Sequence, residues 1–132
     1  MTRALAVSDY DKDELTMKSM KHLGLQLRLT FYSGKSADEG TFGKGIAILL
    51  RGVSDLGSLN AAAKKIHMAY SKAWRIVKET EAGFGFNLIN RDGARGSTLT
   101  PEGRKLLDAY EELEAKGSEF LAVHFKELVT KK

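Results

Sequence analysis

Between Tyr70 and Lys78 the chain reads YSKAWRIVK, and its polar side chains recur at helical spacing: Tyr70, Ser71, Lys72, Arg75 and Lys78, with Glu79 beside them. Hydroxyls and fixed cations set out this way are hydrogen-bond donors, suited to phosphate oxygens and heteroatoms on base edges. Two more arginines, Arg91 and Arg95, bracket a short glycine-containing stretch downstream. Residues 61–105 hold nine Lys/Arg against four Asp/Glu, so this segment carries +5 of a chain total of +4 and the remainder sums to −1. A localised basic region attracts polyanions through phosphate contacts and counterion release. The plain alternative is a solvated, lysine-rich surface.

Other chemistries find little support. There are no cysteines, which removes disulfides, thiolate metal sites and cysteine nucleophiles. His22, His67 and His124 lie far apart without ligand spacing. No G-x-S-x-G, phosphate-binding loop or G-x-G-x-x-G is present, and Gly83–Phe84–Gly85 reads as a helix stop. We expect no enzyme, no metal and no cofactor. At 132 residues, 42% hydrophobic and 29% charged, the composition is that of one soluble globular domain. Apolar runs such as Ile46–Leu50 are too short to span a bilayer. The N-terminus carries Asp9, Asp11, Asp13 and Glu14 in place of a signal-peptide core, so no membrane partner and a cytoplasmic location are expected.

The elements that must position the basic side chains follow from periodicity. Asp9–Leu23 reads as a short helix behind a frayed start. Leu25–Tyr32 alternates apolar and polar residues and predicts a half-buried strand; Ser33–Gly40 is a turn and Thr41–Phe42 a short return strand. Ile46, Leu49, Leu50 and Val53 give a first helix, ended by Asp55–Gly57. Ser58 is an N-cap for a second helix, Leu59–His67, whose Ala62 and Ala63 admit a close neighbour. After a break at His67–Ala69 a third helix runs from Tyr70 to about Glu81, with Ala73, Ile76, Val77 and Thr80 inward. Trp74 sits at the boundary, packing into the core or against Tyr70 at i, i+4. Gly83 and Gly85 stop this helix; Leu88–Arg91 and Thr98–Leu99 form a hairpin around the turn Asp92–Ser97.

Thr100–Pro101–Glu102–Gly103 is a helix start, with threonine as cap, proline in the first position and an acid in the first turn. The last helix runs to about Val129. Leu106, Tyr110, Leu113, Gly117, Phe120 and His124 are spaced by four and three, and Leu107, Leu121, Phe125 and Leu128 widen the stripe. The domain covers the first part; the rest needs a cover, either a second copy of the chain or the folded-over N-terminal segment. We expect a homodimer through Leu106, Tyr110, Leu113, Phe120, Leu121 and His124.

The fold class is thus mainly α with small β-hairpins: a winged helix-turn-helix followed by a long C-terminal dimerisation helix. Residues 1–23 form an extension, 24–99 the winged domain and 100–132 the dimerisation helix. The stretch Gly57–Leu107 resembles the DNA-binding domain of LysR-type regulators, and is more closely similar to the N-terminal domain of the ModE-type, molybdate-responsive repressors. The shared features are Gly57–Ser58, Ala62–Ala63, Tyr70…Ala73–Trp74 and Leu99–Thr100–Pro101–Glu102–Gly103–Arg104, with Phe42–Gly43–Lys44–Gly45 and Leu25–Tyr32 before them. The resemblance covers about residues 24–115 and implies a dimeric, winged-helix transcription factor. The turn Asp92–Ser97 is shorter and poorer in glycine and lysine than ModE wings. The chain ends at Lys132, so neither a molybdate-binding nor a LysR-type effector domain is expected, and molybdate sensing does not carry over.

In such an arrangement the first turns of the third helix read base edges in the major groove. Lys72 and Arg75 can donate to guanine O6 and N7, and Ser71 can serve a base or a phosphate. Tyr70 would meet a thymine methyl or a phosphate. For each, the plain alternative is an exposed helix residue. Ser58 places the second helix start near a phosphate; Lys64 and Lys65 face solvent. Arg95, at the wing tip, enters the minor groove or touches the backbone, and Arg91 does the same or pairs with Asp92. Two copies would place two such helices about 34 Å apart on an inverted repeat in double-stranded DNA. The rival readings are a protein-interaction winged helix with an incidental basic face, and an oxyanion-responsive regulator with a ligand site at the dimer interface. No effector is marked in the sequence.

Overall fold

A computed structural model describes residues 20, 22–34, 40–91 and 96–131. They fall into two compact units: Arg28–Glu114, and a second whose described part is 20, 22–27 and 115–131. Strands β1 (Phe31–Tyr32) and β2 (Thr41–Phe42) pair antiparallel, with Phe31 opposite Phe42. Helices α1 (Lys44–Leu56), α2 (Leu59–Lys65) and α3 (Tyr70–Phe84) follow. A hairpin of β3 (Ile89–Arg91) and β4 (Ser97–Leu99) comes next, and α4 (Pro101–Thr130) closes the order. Mainly helical architecture with two small antiparallel pairs is what the sequence predicts. The expected helix at 9–23 lies almost entirely outside the described residues.

The core of the unit Arg28–Glu114 comes from the faces that periodicity marks. Leu49, Leu50 and Val53 of α1, Leu59 of α2, Val77 of α3 and Leu107 of α4 are fully buried with Phe42 and Leu88. Each such side chain contributes roughly 1.5–3 kcal/mol by leaving water. α1 and α2 bend by 117° at their junction. The small residues of α2 let α1 close in: a Cβ on Gly52 would lie 2.5 Å from the Cβ of Ala62. Thr100 caps α4 as expected, accepting from the Gly103 N–H at 2.9 Å while its hydroxyl donates to the Asn87 carbonyl at 2.7 Å.

Four expectations change. The strand predicted over Leu25–Tyr32 forms only at Phe31–Tyr32. Its return partner is two residues long, so 25–30 has no ladder, although Leu29 still packs against the core. Gly83 does not stop α3, which continues to Phe84; Gly85 in the left-handed region is the cap, donating to the Glu81 carbonyl. Gly83 instead meets Gly40, where an added Cβ would fall 2.4 Å from the opposing Cα. Tyr110, expected on the dimer stripe, is buried at 6% exposure within its own unit, edge-on to Phe31 at 5.9 Å and tilted against Phe42 at 5.9 Å. Leu106 is half-buried against the same core. These two side chains lie on the part of α4 that the domain itself covers.

The second unit contains α4 from Ala115 onward. Leu27 lies against Gly117, its methyl 3.0 Å from where a Cβ would stand. Phe120, Leu121, Val123 and Leu128 are exposed, Phe120 at 62% and Leu128 at 72%. His124 packs its ring 4.3 Å from that of Phe120 and sits 3.2 Å from the Glu127 carboxylate.

Candidate nucleic-acid interface

The third helix starts without help from a side chain: its N-cap is Ala69, and no side-chain cap bond is made. The turn before it is set by backbone. His67 adopts a left-handed conformation (φ 57°), its N–H donates to the Lys64 carbonyl, and the Met68 N–H donates to the Ala63 carbonyl. Histidine is among the residues that tolerate this region better than most, so His67 serves as the turn residue of the break.

From Tyr70 onward α3 buries Ala73, Val77, Thr80 and Glu81. The opposite side keeps Tyr70, Ser71, Lys72, Arg75, Lys78 and Glu79 exposed. Among the described residues, none of Lys72, Arg75 and Lys78 forms an ion pair. The expected positions are therefore brought together on one solvent-facing ridge, with its three cations unpaired and Glu79 at its edge. Thr80, at the inward edge, has its hydroxyl 2.9 Å from the Ile76 carbonyl and 3.2 Å from that of Thr41.

Trp74 lies half-buried beside this ridge. Its ring meets Tyr70 edge-on at 6.4 Å, as the i, i+4 spacing predicts. It also meets Arg91 of β3, whose guanidinium carbon is 3.6 Å from the ring centroid, and Lys78, whose ammonium is 5.4 Å away. Arg91 thus joins the third-helix face through an aromatic stack. Sequence reading placed Lys78 on the outer side but not among the contact residues; its i, i+4 spacing from Trp74 was the available signal. Glu81, also overlooked, is buried and accepts from the Leu88 and Ile89 N–H groups, fixing the entry into β3.

The hairpin is anchored at its base to the start of α2. The Ser97 N–H donates to the Gly57 carbonyl at 2.9 Å. Gly57 is left-handed (φ 76°) and caps α1. Ser58 is half-buried and acts first as a cap, its hydroxyl oxygen accepting from the Ala61 N–H at 2.9 Å. Lys64 and Lys65 are exposed, as predicted. Arg95 and the turn around it lie outside the described residues.

A second set of cations is arranged differently. Arg51 of α1 forms a two-pronged pair with Glu111 of α4 and reaches Asp55 at 3.3 Å. Arg104 reaches the Ser54 hydroxyl and lies 3.6 Å from Asp108. Hydrogen bonding to Arg51 holds the Glu111 carboxyl below the usual carboxylate range, and the same bond pushes the Arg51 guanidinium up. Among the described residues no group of three or more His, Asp or Glu is placed to hold a metal ion, and no single helix is long and apolar enough to cross a membrane.

Residues 48–104 match the family model described as bacterial regulatory helix-turn-helix protein, lysR family. Among curated proteins the chain is 41% identical over 76 residues to the HTH-type transcriptional regulator CrgA of Neisseria meningitidis, in strains of serogroups B and C. That alignment takes in 54% of this chain and 25% of the relative, so the chain spans about a quarter of the length of the curated relatives it matches. Among solved structures it is similar to the BenM_DBD/benA site 1 DNA complex, with a TM-score of 0.51, 23% identity, and coverage of 60% of this chain and 91% of that one. It is also similar to the CbnR_DBD–DNA complex, with a TM-score of 0.48, 30% identity, and coverage of 55% and 83%. The curated relatives are transcriptional regulators by name. The 23%-identical structure supports the fold, and residues 48–104 are similar to the helix-turn-helix domain of the lysR family.

Proposed function

We propose that this chain is the DNA-binding part of a cytoplasmic transcriptional regulator that acts as a homodimer on an inverted repeat in duplex DNA. The observation that carries this reading is the exposed ridge of Ser71, Lys72, Arg75 and Lys78 on α3, with no ion pairs to its three cations among the described residues. Unpaired cations on the exposed side of the second helix of a helix-turn-helix suit a major groove. Arg75 and Lys72 would read bases, Ser71 a base or a phosphate, and Tyr70 a methyl or a phosphate. Arg91 and Arg95 would contact the sugar-phosphate backbone or the minor groove. The neighbouring complexes bind DNA by their own description, which supports the same role for this chain.

The dimer rests on the exposed apolar residues of α4. With Tyr110 and Leu106 turned toward the domain core, the candidate contact set narrows to Leu113, Phe120, Leu121 and His124, with Val123 and Leu128 beside them. Leu113 at 51% and Phe120 at 62% exposure leave apolar surface that a partner helix would cover. The finer, ModE-like resemblance belongs to this proposal too, through Tyr70…Ala73–Trp74 and Leu99–Arg104.

Gel shifts on random duplex across a salt series test the core of the proposal. A DNA binder loses affinity steeply as salt rises. Negligible binding at every salt would favour a protein-interaction module instead. For the dimer, Phe120→Asp should convert the sedimenting species from dimer to monomer; a wild-type chain that sediments as a monomer at micromolar concentration would remove the inverted-repeat geometry.

A further inference from the structure

Arg91 sits over the indole of Trp74, its guanidinium carbon 3.6 Å from the ring centroid, and the Lys78 ammonium stands 5.4 Å from the same ring. We infer that Trp74 is a positioning residue that presents Arg91 and Lys78 together as a seat for one backbone phosphate of duplex DNA. This rests on the DNA-binding reading above and deepens it, because it assigns a paired phosphate contact at the junction of α3 and β3.

The chemistry follows from how the cations are held. A guanidinium stacked by its face keeps its N–H groups at the edges, so all of them stay available to oxygen acceptors. The stack also settles the arginine's rotamers before any ligand arrives, which removes much of the ordering cost from the binding step. Arg91 and Lys78 have no carboxylate partner among the described residues. Two like charges at one aromatic ring repel each other, and an anion bridging them relieves that repulsion. The Glu81 carboxylate lines the same recess, together with Asn90. One of its oxygens accepts from the Leu88 and Ile89 N–H groups, and the residue is buried. Asn90 reaches the Thr98 hydroxyl at 3.4 Å. Trp74 thus couples the helix that would read bases to the strand that leads into the wing.

The chain contains a single tryptophan, so its fluorescence reports on this stack without DNA. Arg91→Ala should shift Trp74 emission and raise its quenching by acrylamide. Arg91→Lys should change emission as well, while retaining the salt dependence of DNA binding. On random duplex, Arg91→Ala should lower affinity about fivefold and reduce the salt slope by about 0.9. Trp74→Leu should lower affinity about threefold in the wild-type background, and by clearly less in an Arg91→Ala background, where only the Lys78 contact remains to be lost. Trp74→Phe, which keeps an aromatic face, should recover most of that loss and guards against a folding defect in the leucine variant. Equal losses from Trp74→Leu in both backgrounds would overturn the positioning role. Unchanged emission and quenching in Arg91→Ala would show that the stack is not formed in solution and overturn it as well. If wild type binds no duplex at any salt, the DNA-binding reading fails and takes the phosphate seat with it, while the fluorescence comparison still reports separately whether the stack exists.

Discussion

Two groups of cations in this domain have the same chemistry and opposite circumstances. At the α1–α4 seam, Arg51 and Arg104 face Glu111, Asp55, Asp108 and Ser54, so their donors are engaged within the fold. On the outer side of α3, Lys72, Arg75 and Lys78 face solvent with no carboxylate partner among the described residues. A count of basic residues along the chain treats both groups alike. Pairing separates them: the first group closes two helices over the core, and the second is available to a partner that brings its own negative charge.

The largest expected effect comes from the unpaired side. Arg75→Ala should weaken binding to the specific site by about 1–3 kcal/mol and relax base preference at one position, measured by competition between specific and random duplex. Equal losses on both would take Arg75 out of base reading and leave it as a phosphate contact. Next, Lys78→Ala and Arg104→Ala should separate in a salt series. Removing Lys78 from the phosphate seat lowers the slope of log affinity against log salt by about 0.9; Arg104→Ala should leave the slope unchanged. A smaller effect is expected at the seam. Arg51→Ala should lower stability by about 0.2–1 kcal/mol, because the pair is about 40% exposed and solvent screens it. A thermal melt reads that loss, and DNA affinity under conditions where both proteins stay folded should not change.

The same contrast shows what can be read from a sequence. Local order was legible: the faces of α1, α2 and α3, the Ser58 and Thr100 caps, the second hairpin and the Tyr70–Trp74 contact all follow from spacing within one element or across one short turn. Contacts between elements were not. The Arg91–Trp74 stack joins a strand to a helix, and no periodicity points across that gap. Gly83 looks like a stop because its reason for being glycine, the backbone of Gly40, comes from elsewhere in the chain. The apolar stripe of α4 is broad enough to fit two roles. Only the aromatic contacts of Phe31 and Phe42 reveal that Tyr110 points to the core and that the exposed apolar residues begin at Leu113. The partial strand at 25–32 teaches the same lesson, since alternation supplies a face but not the neighbouring strand that completes it.

The smallest effect sharpens the comparison through pH. Hydrogen bonding and the nearby charge of Arg51 lower the Glu111 pKa in the folded state, against opposition from desolvation and from Asp55. A depressed carboxylate contributes stability that is fully present above its unfolded value, about 4.3 for glutamate, and is lost as pH falls through the lower folded value. Arg51 moves the other way, upward, so its contribution fades only in strong alkali and leaves the acid limb to Glu111. Glu111→Gln should therefore make the melting temperature less dependent on pH below about 5 than in wild type, with the two proteins converging as acid neutralises the native carboxylate. The ridge on α3 holds no carboxylate partner whose titration would produce such a limb, so Lys72→Ala should keep the wild-type profile. An acid limb that survives Glu111→Gln unchanged would place the titrating group elsewhere and remove the seam as the paired half of the contrast.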